Sequence, residues 1–258
     1  MKPIFRKRMS VGVAVVTLLA LGTMLASAYD EVEVANPGTI SGAVTFEGTP
    51  SQPSLAVGKD QSTCGDSKKS PRLIVASGGG VANAVVYLKD ISSGMAFGEV
   101  TPRIDQDECE YVPHVQVAPK NSKLQIINSD DVLHNVHGYV NRRTVFNLAM
   151  PIQGQRNRKK LKRAGIVEIA CDAGHTWMSA YVYVSEHPYA VATDAEGRFS
   201  LDGVPPGEYQ IEMWHEGWQI TNAASATQGP TYSDPIVVTK TVTVSAGQST
   251  SVDFVLKD

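Results

Sequence analysis

Three of the 258 residues are cysteine, six are histidine, and the 23 lysines and arginines are outnumbered by 26 aspartates and glutamates. Without a basic excess the chain lacks the electrostatic footprint of a nucleic-acid binder, so nucleic acid is excluded as a partner. Long apolar runs are also scarce. One lies near the N-terminus, between Val11 and Leu25, and no cysteine follows it, which argues against lipid attachment there. Residues 187–258 offer no nucleophile constellation, so that part of the chain gives no reason to expect an enzyme.

The N-terminal run is preceded by Lys2, Arg6, Lys7 and Arg8 and followed by Ala26-Ser27-Ala28. A basic start, a short apolar stretch and a small-x-small triplet form a secretory signal pattern, with cleavage expected after Ala28. The mature chain is then expected in the periplasm or outside the cell, with no membrane span. Its basic residues fall from 23 to 19 against 26 acidic ones, a net charge near −7. Export favours pairing of thiols, yet Cys64, Cys109 and Cys171 are an odd number. Cys171 has metal-ligand neighbours, so the expected disulfide is Cys64–Cys109; the alternative is two unpaired structural thiols.

Residues 29–38 are acidic, end in Pro37-Gly38 and read as a linker. Thereafter the periodicity is two, the signature of strands with one buried face. Ile40, Val44 and Phe46 share one face, as do Ala84, Val86 and Leu88, whereas residues 51–71 and 91–108 read as irregular. Two short runs, Val115 with Val117 and Leu124 with Ile126, flank turn residues around Pro119 and read as a hairpin. A short strand is expected over 145–148. Arg156, Arg158, Lys159, Lys160, Lys162 and Arg163 put six cations in eight residues. This segment reads as a solvated loop, or as a docking patch for an acidic redox partner, since local charge steers encounters even against the net charge.

The strand beginning at Ile166 carries Val167, Ile169 and Cys171 on one face, and it leads into Cys171-Asp172-Ala173-Gly174-His175-Thr176-Trp177-Met178. A thiolate, an imidazole and a thioether within eight residues make a soft donor set that suits copper. Residues 110–184 resemble a cupredoxin, the β-sandwich of plastocyanin and its relatives. The resemblance rests on the run with Pro119 at its turn, Asn128-Ser129-Asp130, the tripeptide His134-Asn135-Val136, the 171–178 loop and a Val-rich final strand. It implies one copper ion held by His134, Cys171 and His175, with Met178 as a weak axial ligand and Asn135 bracing the ligand loop from outside. His137 is an alternative ligand, but on a strand it faces away from His134. The spacing of Cys171, His175 and Met178 is similar to the second half of the binuclear copper loop in cytochrome oxidase subunit II. Val167 stands where that loop has its other cysteine, so a mononuclear site is implied.

Beyond Val184 the wording changes. Thr193-Asp194 through Phe199, then Pro205-Pro206-Gly207 before Tyr209, resemble the carboxypeptidase-regulatory-like (transthyretin-like) β-sandwich, whose opening G-T-I-S-G-x-V is present at 38–44. Residues 82–88 resemble its second strand, and residues 241–256, turning at Ser245-Ala246-Gly247-Gln248, its closing hairpin; residues 193–201 also read as a hairpin. Residues 221–235 read as a mobile loop. The expected architecture is all-β, a Greek-key cupredoxin sandwich over 106–186 inserted in or packed on a second sandwich made of 39–90 and 187–258. Alternatively, 39–90 supplies early strands of the cupredoxin itself.

Two function classes follow. One is an exported copper electron carrier; the other is a non-redox copper-binding, storage or surface-interaction protein. A catalytic copper oxidase would need further copper sites, and His187 and His215 are few to build one from.

Overall fold

The computed structural model describes residues 29–224 and 229–258, and the expected signal peptide, 1–28, lies outside them. The chain is all-β, its one described helix being the single turn Gln61–Cys64. Among the described residues no helix is long and apolar enough to cross a membrane.

Four sheets stack as two sandwiches. In the first, the strands Arg156–Lys160, Lys123–Asn128, Arg103–Asp107 and Glu110–Val112 form a four-stranded sheet. Facing it is a five-stranded sheet in the order Arg143–Met150, His134–Val140, Gly165–Ala170, Ser179–Ser185 and Val115–Pro119. Ile104, Leu124 and Ile126 from one sheet meet Val136, Val167, Ile169, Val182 and Val184 from the other. Each Ile or Leu so buried contributes about 1.5–3 kcal/mol.

In the second sandwich, Ala190–Ala192, Val85–Lys89, Gly207–His215 and Ile236–Val244 form one sheet. Gly38–Glu47 forms the other with Arg198–Val204, Ser249–Ser251 and Phe254–Lys257. Its core holds Ile40, Val44, Val86, Leu88, Ile211, Met213, Phe199 and Phe254.

The two sandwiches meet back to back. On Ser179–Ser185 the alternate residues Ala180, Val182 and Val184 enter the first core, and Tyr181 and Tyr183 point the other way. There they meet Val85, Tyr87 and Trp214 from the second sandwich, with the Tyr87 and Tyr183 rings stacked at 4.6 Å. A strand buried on both faces cannot alternate apolar with polar, which is why Tyr181-Val182-Tyr183-Val184 reads as a continuous apolar run. Beside this seam Arg72 bridges the halves, 2.7 Å from the Glu216 carboxylate and 3.2 Å from the Tyr181 hydroxyl.

Several sequence-based expectations need correction. The runs at 115–119 and 123–128 are not a hairpin, because they lie in opposite sheets of the first sandwich. The same holds at Asp194–Gly197, which joins Ala190–Ala192 to Arg198–Val204, and at 245–248, which leads out of Ile236–Val244. In all three places the chain arches from one layer to the other. Gly197, at φ 78, makes this possible at the first turn of the second sandwich, where a Cβ would stand 2.5 Å from the Val44 carbonyl oxygen. Residues 103–107, expected to be irregular, are a strand parallel to Lys123–Asn128, so the first sandwich begins before residue 106. Residues 51–71, placed with the outer sandwich, pack elsewhere: Leu55, Val57 and Cys64 are buried in the first core. The lead-in 29–38 is tied down by Asp30 N–H to Ser92 O at 2.9 Å and Val32 N–H to Gly94 O at 2.7 Å. Within 221–235, Ile220–Asn222 pairs with Thr231–Tyr232. The basic segment is an edge strand over Arg156–Lys160, with Arg156, Arg158 and Lys160 exposed, a charge pattern that discourages further strand pairing.

Candidate metal centre

At one end of the first sandwich three donors converge. His134 opens the strand His134–Val140 with its side chain inward, and His137, three residues on, points to the opposite face, where it meets the Asp172 carboxylate at 2.6 Å. Cys171 follows the strand Gly165–Ala170 on the core-facing side and is buried. The loop then folds back, and Gly174, at φ 97, supplies the left-handed turn that places His175 beside Cys171. Met178 N–H closes the loop on the His175 carbonyl at 3.0 Å.

The Cys171 sulfur, one His134 nitrogen and one His175 nitrogen all lie within 4.8 Å of one another, and all three residues are buried. Nδ1 of His134 and Nδ1 of His175 are 2.9 Å apart, and His175 Nδ1 is 3.7 Å from Cys171 Sγ. Met178 is buried in the same core. Asn135 braces the loop: its backbone N–H points at Cys171 Sγ at 3.4 Å and its Oδ1 accepts from the Asp172 N–H at 3.3 Å.

The outer nitrogens of both imidazoles face carboxylates. His134 Nε2 is 2.8 Å from Asp130 Oδ2, and His175 Nε2 is 2.8 Å from Asp60 Oδ2. An ionised carboxylate only accepts, so each Nε2 carries a hydrogen and each Nδ1 is the atom left to act as a donor to a metal. Neither aspartate stood out in the sequence. Asp130 lies inside the Asn128-Ser129-Asp130 stretch, four residues before His134, but Asp60 sits in a polar loop with one other acidic residue, Asp66, and carries no signal of its own.

The electrostatics match this arrangement. Burial pushes the Cys171 thiol up, but hydrogen bonds from His134, His175 and the backbone N–H groups of Ala173 and Asn135 outweigh it and bring the thiol from 9.0 down to about 6. Burial pushes the His134 imidazole down, while Asp130 and the Cys171 sulfur outweigh burial and raise it from 6.5 to about 9. Both shifts favour the charged forms of Cys171 and His134, so a cation entering the pocket competes with a proton. Burial likewise raises Asp130, and the His134 ring with the backbone N–H of Cys109 brings it below the usual carboxylate range. Tyr111, held protonated by burial and then by the nearby Cys171 sulfur, donates to the Asn135 carbonyl.

Cys64 and Cys109 form a disulfide and Cys171 is free. Cys109, Asp130 and His134 also cluster within 4.8 Å, but a disulfide sulfur is no thiolate, so that group is not a second metal site. Among the described residues neither His187 nor His215 belongs to a metal-competent group of three.

The pocket fits a single soft or borderline cation: one thiolate and two imidazole nitrogens, all from buried residues, with each ring already hydrogen-bonded on its far side.

Residues 172–257 match the family model of the carboxypeptidase regulatory-like domain, less than half of the chain. The strands Gly38–Glu47 and Val85–Lys89, outside that match, are hydrogen-bonded to strands within it. No curated protein matches the chain. Among solved structures, a purple cupredoxin from Nitrosopumilus maritimus is 23% identical, covering 33% of this chain and 99% of its own, with a TM-score of 0.29. Amicyanin from Paracoccus versutus (Thiobacillus versutus) is 15% identical over 34% of this chain and 85% of its own, TM-score 0.30. A copper-containing nitrite reductase from Thermus scotoductus SA-01 is 16% identical over 35% of this chain and 24% of its own, TM-score 0.29. The family matched at 172–257 is the regulatory-like one that the sequence resembles.

Proposed function

We propose that this chain is an exported mononuclear copper protein acting in one-electron transfer, not an enzyme. His134 and His175, through Nδ1, and Cys171, through its thiolate, would hold the ion, with Met178 as a weak fourth donor. Copper bound there would supply reversible one-electron chemistry, cycling between Cu(I) and Cu(II). The observation that carries this reading is the convergence of the Cys171 sulfur with two inward imidazole nitrogens in a buried pocket whose supports are already hydrogen-bonded. A site braced in this way changes little between oxidation states, the condition for fast electron exchange.

In this reading the two sandwiches are two domains. The outer one is interrupted by the copper domain, an insertion of the kind tolerated at a loop whose ends lie close. The outer domain supplies packing and a docking platform. The exposed cations Arg156, Arg158 and Lys160 would steer an acidic redox partner to the copper domain.

One observation favours the alternative of copper storage or a structural copper: both imidazoles are 0% exposed, so neither ring offers an edge to a partner. Titrating the purified full chain with Cu(II) separates the readings. A carrier shows an intense thiolate-to-copper absorption band, a reversible potential and fast self-exchange, and Cys171→Ser loses the band. Slow exchange with tight binding selects storage, and a wild-type chain that takes up no copper ends both.

A further inference from the structure

Residues 51–71 form a strap laid across the ligand loop. Its strands Ser54–Ala56 and Ser67–Lys69 pair with each other, and Leu55 and Val57 anchor it in the first core. At its far end Lys59 and Asp60 grip the loop at adjacent points. Lys59 Nζ donates to the Ala173 carbonyl at 2.8 Å, and Asp60 Oδ2 meets His175 Nε2 at 2.8 Å.

The backbone that presents Asp60 is fixed. Asp60 has a left-handed φ of 56, a conformation that aspartate tolerates better than most residues, and its carbonyl accepts from Thr63 N–H at 3.0 Å and Cys64 N–H at 2.9 Å. Cys64 is bonded to Cys109, and the Cys109 N–H donates to Asp130 Oδ2 at 2.8 Å. Asp130 in turn holds His134. The carboxylates behind the two imidazoles are therefore joined through one disulfide. Trp177 closes the remaining side, its Nε1–H donating to the Cys109 carbonyl at 3.0 Å with its ring 5.1 Å from that of His175.

We propose that Asp60 is a positioning residue for the metal centre: the disulfide-anchored strap delivers its carboxylate to His175, fixes that ring as the Nε2-protonated tautomer, and tunes the ion held at Nδ1 toward Cu(II). The inference rests on the copper reading above. The physical reason is that a carboxylate accepting from the outer N–H makes the inner nitrogen a stronger donor. A stronger donor stabilises the more highly charged ion more than the less charged one, which lowers the reduction potential. Asp60, itself partly exposed, also stands between solvent and the buried His175 Nε2 edge.

The test compares wild type, Asp60→Ala, Asp60→Asn and, as a control in the same strap, Asp66→Asn, all in the full chain. In Asp60→Ala, Cu(II) affinity is expected to fall about 10–100-fold. Cu(I) affinity falls less, and each tenfold difference between the two losses raises the potential by ~59 mV. Asp60→Asn keeps an acceptor oxygen without the charge, so it retains the wild-type tautomer and lies between in potential. Asp66→Asn matches wild type. Nitrogen-15 NMR of the metal-free chain gives a second readout: His175 is Nε2-protonated in wild type and a tautomer mixture in Asp60→Ala, while the His134 signal, held by Asp130, stays put and reports a folded site. An unchanged potential together with an unchanged His175 tautomer in Asp60→Ala overturns the proposal. A wild-type chain that takes up no copper defeats the copper reading instead, and the tautomer comparison then still decides what Asp60 does.

Discussion

Both sandwiches are built from two sheets of four or five strands, but their interiors differ in kind. The outer core cluster is apolar, filled by Ile40, Val44, Leu88, Ile211, Met213 and Phe254, and the polar groups its sandwich buries are scattered: the Thr193 hydroxyl serves the Val81 carbonyl and the Ala84 N–H, Glu212 is held by Tyr87 and Lys89, and Glu216 by Arg72. The inner core is apolar at one end only. At the other it buries His134, His175, Cys171, Asn128 and Asp130. Every one of these has a partner, Asn128 holding the Val132 and Met150 carbonyls at 3.0 and 2.8 Å. Buried polar groups are costly unless paired, so an interior that gathers two imidazoles, a thiol and a carboxylate at one end, where its neighbour brings together no such donor set among the described residues, marks where chemistry is placed. In the proposed reading one sandwich supplies the site and the other its support.

Removing the disulfide that closes the strap tests the inner side most severely. Its partners are 45 residues apart, and replacing both Cys64 and Cys109 by serine is expected to cost about 4 kcal/mol, read as a lower midpoint in denaturant. Next come matched cavities. Leu124→Ala in the inner core and Leu88→Ala in the outer, both 0% exposed, should each cost about 2–5 kcal/mol. Calorimetry of the metal-free and copper-loaded chains should resolve two transitions, with Leu88→Ala moving the one that copper does not. A single transition moved by both variants would show that the seam of Tyr181, Tyr183, Tyr87 and Trp214 fuses the two sandwiches into one cooperative unit.

A smaller effect concerns pH. Burial holds His187 and His215 below their ordinary value of 6.5, so the folded chain keeps them neutral where the unfolded chain would take up protons. The stability they contribute is complete above pH 6.5 and is lost as pH falls below it, because there the unfolded state binds more protons. His215→Phe should flatten the stability profile below pH 6.5, measured as denaturation midpoints across that range; a profile as steep as wild type would place the acid sensitivity elsewhere. The smallest structural effect is Arg158→Glu on the exposed edge strand, expected to change stability by less than ~0.5 kcal/mol. It should also weaken the salt dependence of electron exchange with an acidic partner, and an unaltered salt dependence would remove the basic strand from the docking surface.

Much of the candidate site could be read from the chain because its parts are close in sequence or carry a phase. Cys171 and His175 share one loop, and the alternation of Val167, Ile169 and Cys171 pointed the thiol inward before any fold was known. His134 required the resemblance as well, since a histidine at the head of a strand is common. Asp60 was not legible: its partner lies 115 residues away, and in a polar loop nothing in the local pattern sets it apart from Asp66. The arches mistaken for hairpins failed for a related reason. Alternation in 115–119 and 123–128 states which face of each strand is buried, and that is equally satisfied by strands side by side in one sheet or opposed across the core.

What the sequence determined by itself was therefore local: strand phase, the turns, the soft ligand loop, and which cysteine to leave free. Tertiary structure alone decided the partners, setting each strand in its layer, carrying the strap from residue 60 onto the ligand loop, and placing a carboxylate behind each imidazole. The physical reason is that backbone periodicity acts over a few residues, whereas burial and hydrogen bonding between distant segments are settled only when the two cores close and buried polar groups meet partners far away in sequence.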